Sequence, residues 1–389
     1  MSTISEVDVR TGIDRLLESD LSDRPGFLGA QYDLGLAWIH FPEGSGGLGA
    51  DRGFQKLVHD AVVAVDAPQP KYEIGYGMAA PTIVTVGTDD QKARWLRPLF
   101  TGEEVWCQLF SEPGAGSDVA GLSCRAVRDG DEWVVNGQKV WTSNAHLARW
   151  GLLVTRTDPD APKHRGMTYF GIDLHQPGVE IRPLRQMTGQ AEFNEIYLTD
   201  ARVSEADRMG DVGDGWRVAL TTLMNERVAI GGGTRDAGKS AMDWILEAWN
   251  DHGHDDPARH DEMMKLWVRS EVLRLNNLRA EETLTTGTPG PEGSIGKVIS
   301  AEFNKDAFAF ALGLTGMAGT LFDGGYDLDQ SRPVLDYDTL AEYFLRVRAN
   351  SIEGGTTEVM RNIIGERVLG LPGDVRVDKD VAWKDVARN

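Results

Sequence analysis

The sequence is poor in cysteine and has no long apolar run. Cys107 and Cys124 are its only cysteines in 389 residues, which argues against a disulfide framework, and they lack the spacing of a metal site. No stretch reaches the roughly eighteen apolar residues that a membrane-spanning helix needs. The first ten residues, MSTISEVDVR, are acidic, whereas a secretory signal begins basic and then turns apolar. We therefore expect a cytoplasmic protein without membrane insertion.

Basic residues are also scarce relative to acidic ones. Lys and Arg total 40 against 60 Asp and Glu, which gives a formal net charge of −20. A surface this acidic argues against nucleic acid and anionic membrane as partners, because both are polyanions. The remaining composition, 41% hydrophobic and 26% charged, is that of a globular protein with room for about two or three domains.

Three regions differ in the periodicity of their apolar residues. Residues 1–105 and 213–389 have the spacing of amphipathic helices, and the second of these regions predicts a bundle of long helices. Residues 106–212 alternate with a period of two, and Asp129-Gly130 and Asn136-Gly137 predict tight turns between short strands. We predict an α+β protein with an N-terminal helical domain, a middle antiparallel sheet or barrel, and a C-terminal four-helix bundle.

Two short motifs in the middle region have the composition of a binding site. The first, LFSEPGAGSD at 109–118, is an apolar run that becomes a loop of Pro, Gly, hydroxyl and acidic residues. Such a loop lets the backbone approach a ligand closely. The second, KVWTSN at 139–144, offers an aromatic side chain followed by two hydroxyls and an amide. Together the motifs suit a planar heterocycle with polar edges.

The two motifs together resemble the flavin-binding core of the acyl-CoA dehydrogenase family. The resemblance covers about residues 30–373 and implies the family's order of helical, β and helical-bundle domains, with FAD as cofactor. The residues that it places beside the flavin are Leu109, Phe110, Ser111, Gly116, Ser117, Trp141, Thr142 and Ser143. It also implies that Ser117 reaches the pantetheine or phosphate arm of CoA. Gly355, Thr356 and Glu358 would approach the phosphate–ribose part of FAD at a helix N-terminus, whose free N–H groups suit an anion.

The reaction that the resemblance implies is α,β-dehydrogenation of an acyl-CoA thioester to the trans-2-enoyl-CoA. A carboxylate takes the α-proton while the β-hydrogen leaves as hydride to the flavin. Glu226, in LMNERVA at 223–229, resembles the base of the isovaleryl and long-chain branches. At helical spacing it shares an apolar face with Ala219, Leu223 and Ile230, where a lone carboxylate is expected to have a raised pKa. Arg227 points elsewhere and is assigned to substrate binding or loop anchoring.

Other interpretations of individual residues remain open. Glu353, in IEGGTTE at 352–358, competes for the role of base, although it lies one residue from the family's glutamate position. Gly44-x-Gly46-x-x-Gly49 fits the dinucleotide fingerprint literally, but it follows Pro42 rather than a buried strand, which favours a turn between helices. His252, His254 and His260 are spaced too loosely in an acidic loop to favour a metal site.

Two stretches depart from the family pattern. The usual Arg-x-x-Phe-Gly cannot be placed in residues 251–260, and GMAGTL at 316–321 replaces the usual Gln-x-x-Gly-Gly-x-Gly. Such departures resemble the acyl-CoA dehydrogenases of actinobacterial steroid degradation, several of which are α2β2 assemblies. We therefore expect a homotetramer or an α2β2 heterotetramer that uses acyl-CoA and passes electrons to electron-transfer flavoprotein. A flavin-dependent acyl-CoA oxidase and a non-catalytic subunit of a heteromeric dehydrogenase are the alternatives.

Overall fold

The computed structural model describes residues 4–231, 239–252, 256–286, 293–322 and 337–387. They form two compact units. The first unit comprises Met1–Arg182, Asn194–Asn225 and Val377–Asn389, and the second comprises Pro183–Phe193 and Glu226–Arg376. No helix in the described ranges is both long and apolar enough to cross a membrane. The proposed domain boundaries near residues 105 and 212 stay a prediction.

Helices form the N-terminal part of the first unit, as the apolar spacing predicts. They are α1 (Glu6–Leu17), α2 (Arg24–Asp33), α3 (Gln55–Ala64), α4 (Ala80–Val86) and α5 (Asp89–Thr101). Thr88 caps the N-terminus of α5, because its hydroxyl accepts from the Gln91 amide. Gly102 follows the last turn with a φ of 80°, a left-handed conformation that residues with a β-carbon rarely adopt. The Gly44–Gly49 stretch consists of turns rather than a strand and a helix. The dinucleotide fingerprint there is therefore coincidental.

The middle region forms one eight-stranded sheet. Its strands are β1 (Trp106–Leu109), β2 (Arg125–Asp129), β3 (Glu132–Ser143), β4 (Trp150–Arg156), β5 (Met167–Asp173), β6 (Val179–Leu184), β7 (Phe193–Ser204) and β8 (Arg208–Met209). Their order is β6-β7-β3-β2-β4-β5-β8, and β1 pairs with β4 in parallel. The sheet is thus mixed: β1 and β2 each pair with β4 in parallel, so the predicted antiparallel pairing was wrong for these two pairs, whereas β2–β3, β4–β5 and β5–β8 are antiparallel. The connection between β1 and β4 is long enough for the crossover that parallel pairing requires.

The two predicted Gly turns of the sheet have different outcomes. Asp129-Gly130 joins β2 to β3, and Gly130 has the φ of 65° that the turn needs. Asn136-Gly137 does not turn, because both residues lie inside β3. Gly137 adopts φ 155°, and a β-carbon there would lie 2.7 Å from Cys124 Cα. The glycine therefore serves the close approach of β2 and β3 rather than a reversal of the chain.

The C-terminal region is helical. Its helices are α6 (Gly215–Gly231), α7 (Ala241–His252), α8 (Pro257–Thr286), α9 (Gly293–Leu314), α10 (Leu340–Arg346) and α11 (Thr357–Ile363). Apolar side chains of α7, α8 and α9, among them Ile245, Leu266 and Phe310, form the core of the second unit. Most of α6 belongs to the first unit, and its last turns begin the second. Short 3-10 helices follow α9 at Gly316–Thr320 and α10 at Val347–Ser351.

Candidate active site

The first motif leaves the sheet as a buried strand and becomes an exposed loop. Leu109 at the end of β1 is fully buried, and Phe110 is nearly so. The loop reverses tightly, since the backbone amides of Glu112 and Ala115 each donate to the other's carbonyl, at 3.0 Å. Beyond that turn, Gly116 and Ser117 are exposed, and nothing lies within 4 Å of the place where a Gly116 β-carbon would be. The loop therefore offers open backbone for a ligand.

The second motif ends β3 with an unusual backbone. Trp141 has φ 61° and an exposed side chain, although a bulky residue rarely occupies the left-handed region. Thr142 is buried, and its Oγ1 has no hydrogen-bond partner among the described residues, while its carbonyl accepts from Asn194 Nδ2 at 3.1 Å. Ser143 is half-buried. Strained conformations of this kind are concentrated at functional sites.

A buried ion pair joins the two motifs. Lys139 Nζ lies 2.8 Å from Glu112 Oε1 and donates to the Phe110 carbonyl at 3.0 Å, and the lysine side chain is completely buried. The Val140 amide also donates to the Ser111 carbonyl, at 2.9 Å. The two stretches, which are separated by more than twenty residues of chain, are thereby fixed side by side in the first unit.

Glu112 is itself fully satisfied. Besides Lys139, its carboxylate accepts from the Ser123 amide at 2.7 Å, the Ser123 hydroxyl at 2.9 Å and the Cys124 amide at 2.9 Å. Burial alone raises the pKa of Glu112, but the Lys139 ammonium and these hydrogen bonds outweigh it and lower the pKa below its usual value. The carboxylate is therefore a permanent anion at neutral pH. This pair was not predicted from the sequence; its signal was a glutamate in the first motif and a lysine in the second, among apolar and small residues.

A polar contact in the core anchors α6 next to the first motif. The Thr222 hydroxyl lies 2.9 Å from the Tyr169 hydroxyl and 3.0 Å from the Thr82 hydroxyl, and all three groups are buried. The Tyr169 ring in turn packs edge-on against Phe110, with 5.8 Å between ring centroids. α6 is thus fixed on the first unit one helical turn before Glu226, which lies on the same face as Thr222.

In the second unit, Glu226 is half-buried and lies near a buried cation. Lys297 on α9 is 5% exposed, and its ammonium donates to the Asn350 carbonyl at 2.7 Å. Burial lowers the pKa of Lys297 below its usual value, against the opposing charges of Glu353 and Glu226, among other carboxylates. The Arg227 side chain lies outside the described residues, so its assignment stays a prediction.

Glu353, the competing base, has strong partners of its own. Arg346, which is 5% exposed, donates to both carboxylate oxygens, at 2.7 and 3.3 Å. Asn350 Nδ2 donates to the same carboxylate at 2.7 Å. Burial by itself raises the pKa of Glu353, but the pairing with Arg346 prevails and lowers it below its usual value. A carboxylate held in this way is a poor proton acceptor.

The remaining predicted residues precede and begin α11. Gly355 has φ 92°, and Thr356 caps the helix by accepting from the Val359 amide at 3.2 Å. Glu358 is exposed in the first turn. The structure thus gathers the residues from 109 to 143 in the first unit, whereas Glu226 and the residues from 355 to 358 belong to the second. Within the described ranges, no group of His, Cys, Asp and Glu has the arrangement of a metal site.

Comparison with known proteins shows the family to which the chain belongs. Three domains match along the chain: the acyl-CoA dehydrogenase N-terminal domain over residues 15–103, the middle domain over 107–201 and the C-terminal domain over 213–369. Acyl-CoA dehydrogenase IpdE1 of Mycobacterium tuberculosis is 36% identical over 343 residues, which cover 88% of this chain and 86% of that protein. The chain belongs to the acyl-CoA dehydrogenase family. It is therefore a member of a family of oxidoreductases.

Two further relatives extend the comparison. Acyl-CoA dehydrogenase FadE34 of M. tuberculosis is 41% identical over 341 residues, or 87% of this chain, but the match spans only 45% of that protein. Among solved structures, the Tcur3481-Tcur3483 steroid ACAD superposes with a TM-score of 0.73 at 25% identity, covering 95% of this chain and 97% of the other. The predicted order of an N-terminal helical, a middle β and a C-terminal helical domain is confirmed.

The residues of the first unit fit the flavin that the family uses. The buried Thr142 hydroxyl lacks a partner within the protein, and a buried hydroxyl without a partner is costly, so a polar edge of a ligand would satisfy it. The backbone around Gly116 leaves open space for a ligand, and the exposed Trp141 ring offers an aromatic surface on which a flat ring can pack.

Proposed function

We propose that this protein catalyses the FAD-dependent α,β-dehydrogenation of an acyl-CoA thioester, with Glu226 as the base that removes the α-proton. The observation that carries the flavin assignment is the pairing of the two motifs through Glu112 and Lys139, together with a buried Thr142 hydroxyl for which the described part of the chain offers no hydrogen-bond partner. When bound, FAD supplies the acceptor for the β-hydrogen. The protein's own task is to bind and orient the thioester, exclude water and accept the proton.

Glu353 is disfavoured as the base by its own partners. A general base needs a carboxylate whose proton affinity is not suppressed by a tight counter-ion. Arg346 and Asn350 hold Glu353 at 2.7 Å each, which lowers its pKa. Glu226 is favoured because it is half-buried on α6, in the LMNERVA stretch that resembles the base-carrying motif of the isovaleryl and long-chain branches. Partial burial on a helix suits a base that must meet its substrate in a fixed geometry.

Each of the other residues has a role within this proposal. Leu109, Phe110, Trp141 and Thr142 border the flavin ring, together with the backbone of Ser111, Ser143 and Gly116. Ser117 on the exposed loop binds the pantetheine or phosphate arm of CoA, and Arg227 binds substrate or a loop. Gly355, Thr356 and Glu358 adjoin the phosphate–ribose part of FAD.

We also propose that the protein works as a homotetramer or an α2β2 heterotetramer. One face of α8 supports assembly, because apolar side chains there are 40–56% exposed at helical spacing: Met264, Trp267, Val268, Val272, Leu275 and Leu278. The related Tcur3481-Tcur3483 steroid ACAD carries two component names. Analytical ultracentrifugation of the purified chain tests this directly, since a monodisperse monomer that associates neither with itself nor with a partner chain would contradict the proposal.

The function is tested first by the colour of the protein purified alone. We expect a yellow protein whose flavin absorbance bleaches when acyl-CoA is added without oxygen, and whose electrons pass to electron-transfer flavoprotein. Hydrogen peroxide formed at the same rate in air would instead identify an acyl-CoA oxidase. A colourless protein that rejects added FAD would identify a non-catalytic subunit.

A further inference from the structure

The C-terminal residues 377–387, here named the C-terminal strap, pack on the first unit beside the loop of the first motif. The strap runs along residues 159–162: the amides of Trp383 and Lys384 donate to the carbonyls of Ala161 and Pro159, at 2.9 and 3.0 Å. Trp383 Nε1 also donates to the Gly121 carbonyl at 3.3 Å. Gly121 lies three residues after the end of LFSEPGAGSD, so the strap reaches the chain that leaves this loop.

A lysine bridges the strap to the last residue of the loop. Lys163 Nζ lies 2.8 Å from Asp378 of the strap and 3.0 Å from Asp118 of the loop, and its side chain is 14% exposed. Burial by itself lowers the pKa of Lys163, but the hydrogen bonds to Asp378 and Asp118 raise it above its usual value. The ammonium therefore stays charged, and the two carboxylates share it.

An arginine makes the second connection. The Arg156 side chain is almost fully buried and donates to the Ala120 carbonyl at 2.6 Å and to the Lys163 carbonyl at 2.7 Å. Its guanidinium lies over the Trp383 ring, 4.8 Å from the ring centroid. Trp383 thereby covers a buried cation that fixes the backbone just beyond the loop, and cation–π contacts of this kind are strongest when desolvated.

The loop between these attachments has little support of its own. Pro113, Gly114, Gly116 and Ser117 are exposed, and no atom lies within 4 Å of a β-carbon added at either glycine. At its start the loop is fixed by the Glu112–Lys139 pair. Its end is held by two contacts, the Asp118–Lys163–Asp378 bridge and the packing of Arg156 on Trp383. Glycine-rich backbone loses much conformational entropy when it is ordered, so fixing both ends matters for binding.

We propose that Asp378 and Trp383 are positioning residues, through which the C-terminal strap holds the 113–118 loop in the conformation that binds the arm of CoA. This inference rests on the proposed function for the ligand, but not for the mechanics of the loop. Loss of the strap contacts lets the loop populate other conformations, which weakens substrate binding. Proton removal and hydride loss depend on other residues, so kcat should stay near its wild-type value while KM rises.

The test compares Asp378→Asn and Trp383→Ala with Asp380→Asn, a matched change at an exposed acid of the same strap. Hydrogen exchange on the purified full-length protein should be followed at Gly121 and Leu122, whose amides donate to the carbonyls of Asp118 and Val119. We expect exchange at these amides to be about tenfold faster than in the wild type in the first two variants. In the control the exchange rate should be unchanged. For active protein, KM for acyl-CoA should rise several-fold, with kcat within about twofold of wild type.

Two results would overturn the proposal. Unchanged exchange at both amides in Asp378→Asn and Trp383→Ala would mean that the strap does not hold the loop. Faster exchange with an unchanged KM would mean that the strap stabilises the loop but does not affect substrate binding. If Trp383→Ala does not fold, Asp378→Asn alone decides. Faster exchange in a protein that neither binds FAD nor turns over acyl-CoA would contradict the proposed function and leave the strap's effect on the loop established.

Discussion

Replacing Lys139 by methionine should strongly destabilise the first unit. The substitution removes the ammonium that lies 2.8 Å from Glu112 while keeping a similar apolar volume. The carboxylate keeps its bonds to Ser123 and Cys124, but it remains buried without a counter-ion. Breaking a buried pair from one side costs about 3–5 kcal/mol, whereas replacing both partners together is often nearly neutral. We therefore expect a loss of about 3–5 kcal/mol in Lys139→Met, most of which is regained in Glu112→Gln/Lys139→Met.

The dependence on pH gives the same pair a second test. In the wild type, the folded pKa of Glu112 lies below its usual 4.5, so the stabilisation is present above that pH and is lost as the pH falls through the folded pKa. In Lys139→Met, the ammonium no longer opposes the effect of burial, so the pKa of Glu112 should be higher than in the wild type. Glu112 of the variant is then protonated at a higher pH than in the wild type, so the difference in stability between the two proteins should narrow as the pH falls through the acid range.

The assay is urea denaturation followed by tryptophan fluorescence at neutral and acid pH. The double-mutant cycle of Glu112→Gln and Lys139→Met isolates the interaction from the loss of each side chain. Flavin content, measured by absorbance in the same samples, shows whether the two motifs remain aligned. A Lys139→Met protein within about 1 kcal/mol of the wild type at neutral pH would refute the reasoning that this pair holds the motifs together.

Two smaller predictions concern single residues of β3. Gly137→Ala should lower the free energy of unfolding by several kcal/mol, about as much as a severe core substitution, because the added β-carbon would lie 2.7 Å from Cys124 Cα. Gly130→Ala, where the added β-carbon meets open space, should lower it by only about 1 kcal/mol. The midpoints of urea denaturation measure both changes. Thr142→Val should leave stability unchanged or higher, because Thr142 Oγ1 has no protein partner, yet weaken FAD binding in equilibrium dialysis. Unchanged FAD affinity would remove Thr142 from the flavin site.

Local pattern predicted the helices well, but not the contacts made over long separations. The buried Ile13 and Leu16 of α1 follow from spacing alone, because a helix presents every third or fourth residue to the core. Asn136-Gly137 was misjudged because the same pair serves a tight turn or a close approach between strands, and only packing on Cys124 decides. Trp383 and Gly121 lie 262 residues apart, and no periodicity encodes such a contact.

The residue types of the site could be predicted from the sequence in the same way, but the contacts that hold them in place could not. The glycines and serines of the first motif and the tryptophan and hydroxyls of the second predict a flat ligand with polar edges. The Glu112–Lys139 pair spans 27 residues, so it emerges only when β1 and β3 lie in one sheet. The partners of Glu353 also emerge only from the structure, since Arg346 ends α10 and Glu353 lies in a turn that follows it.

The central claim is that Glu226 removes the α-proton, and anaerobic bleaching of the flavin by acyl-CoA measures that step most directly. Glu226→Gln should retain the flavin spectrum and bind acyl-CoA, but bleach about 10²–10⁴-fold more slowly. Glu353→Gln, the matched control, should lose stability through its Arg346 pair and still bleach at close to the wild-type rate. Normal bleaching in Glu226→Gln together with its loss in Glu353→Gln would contradict the account.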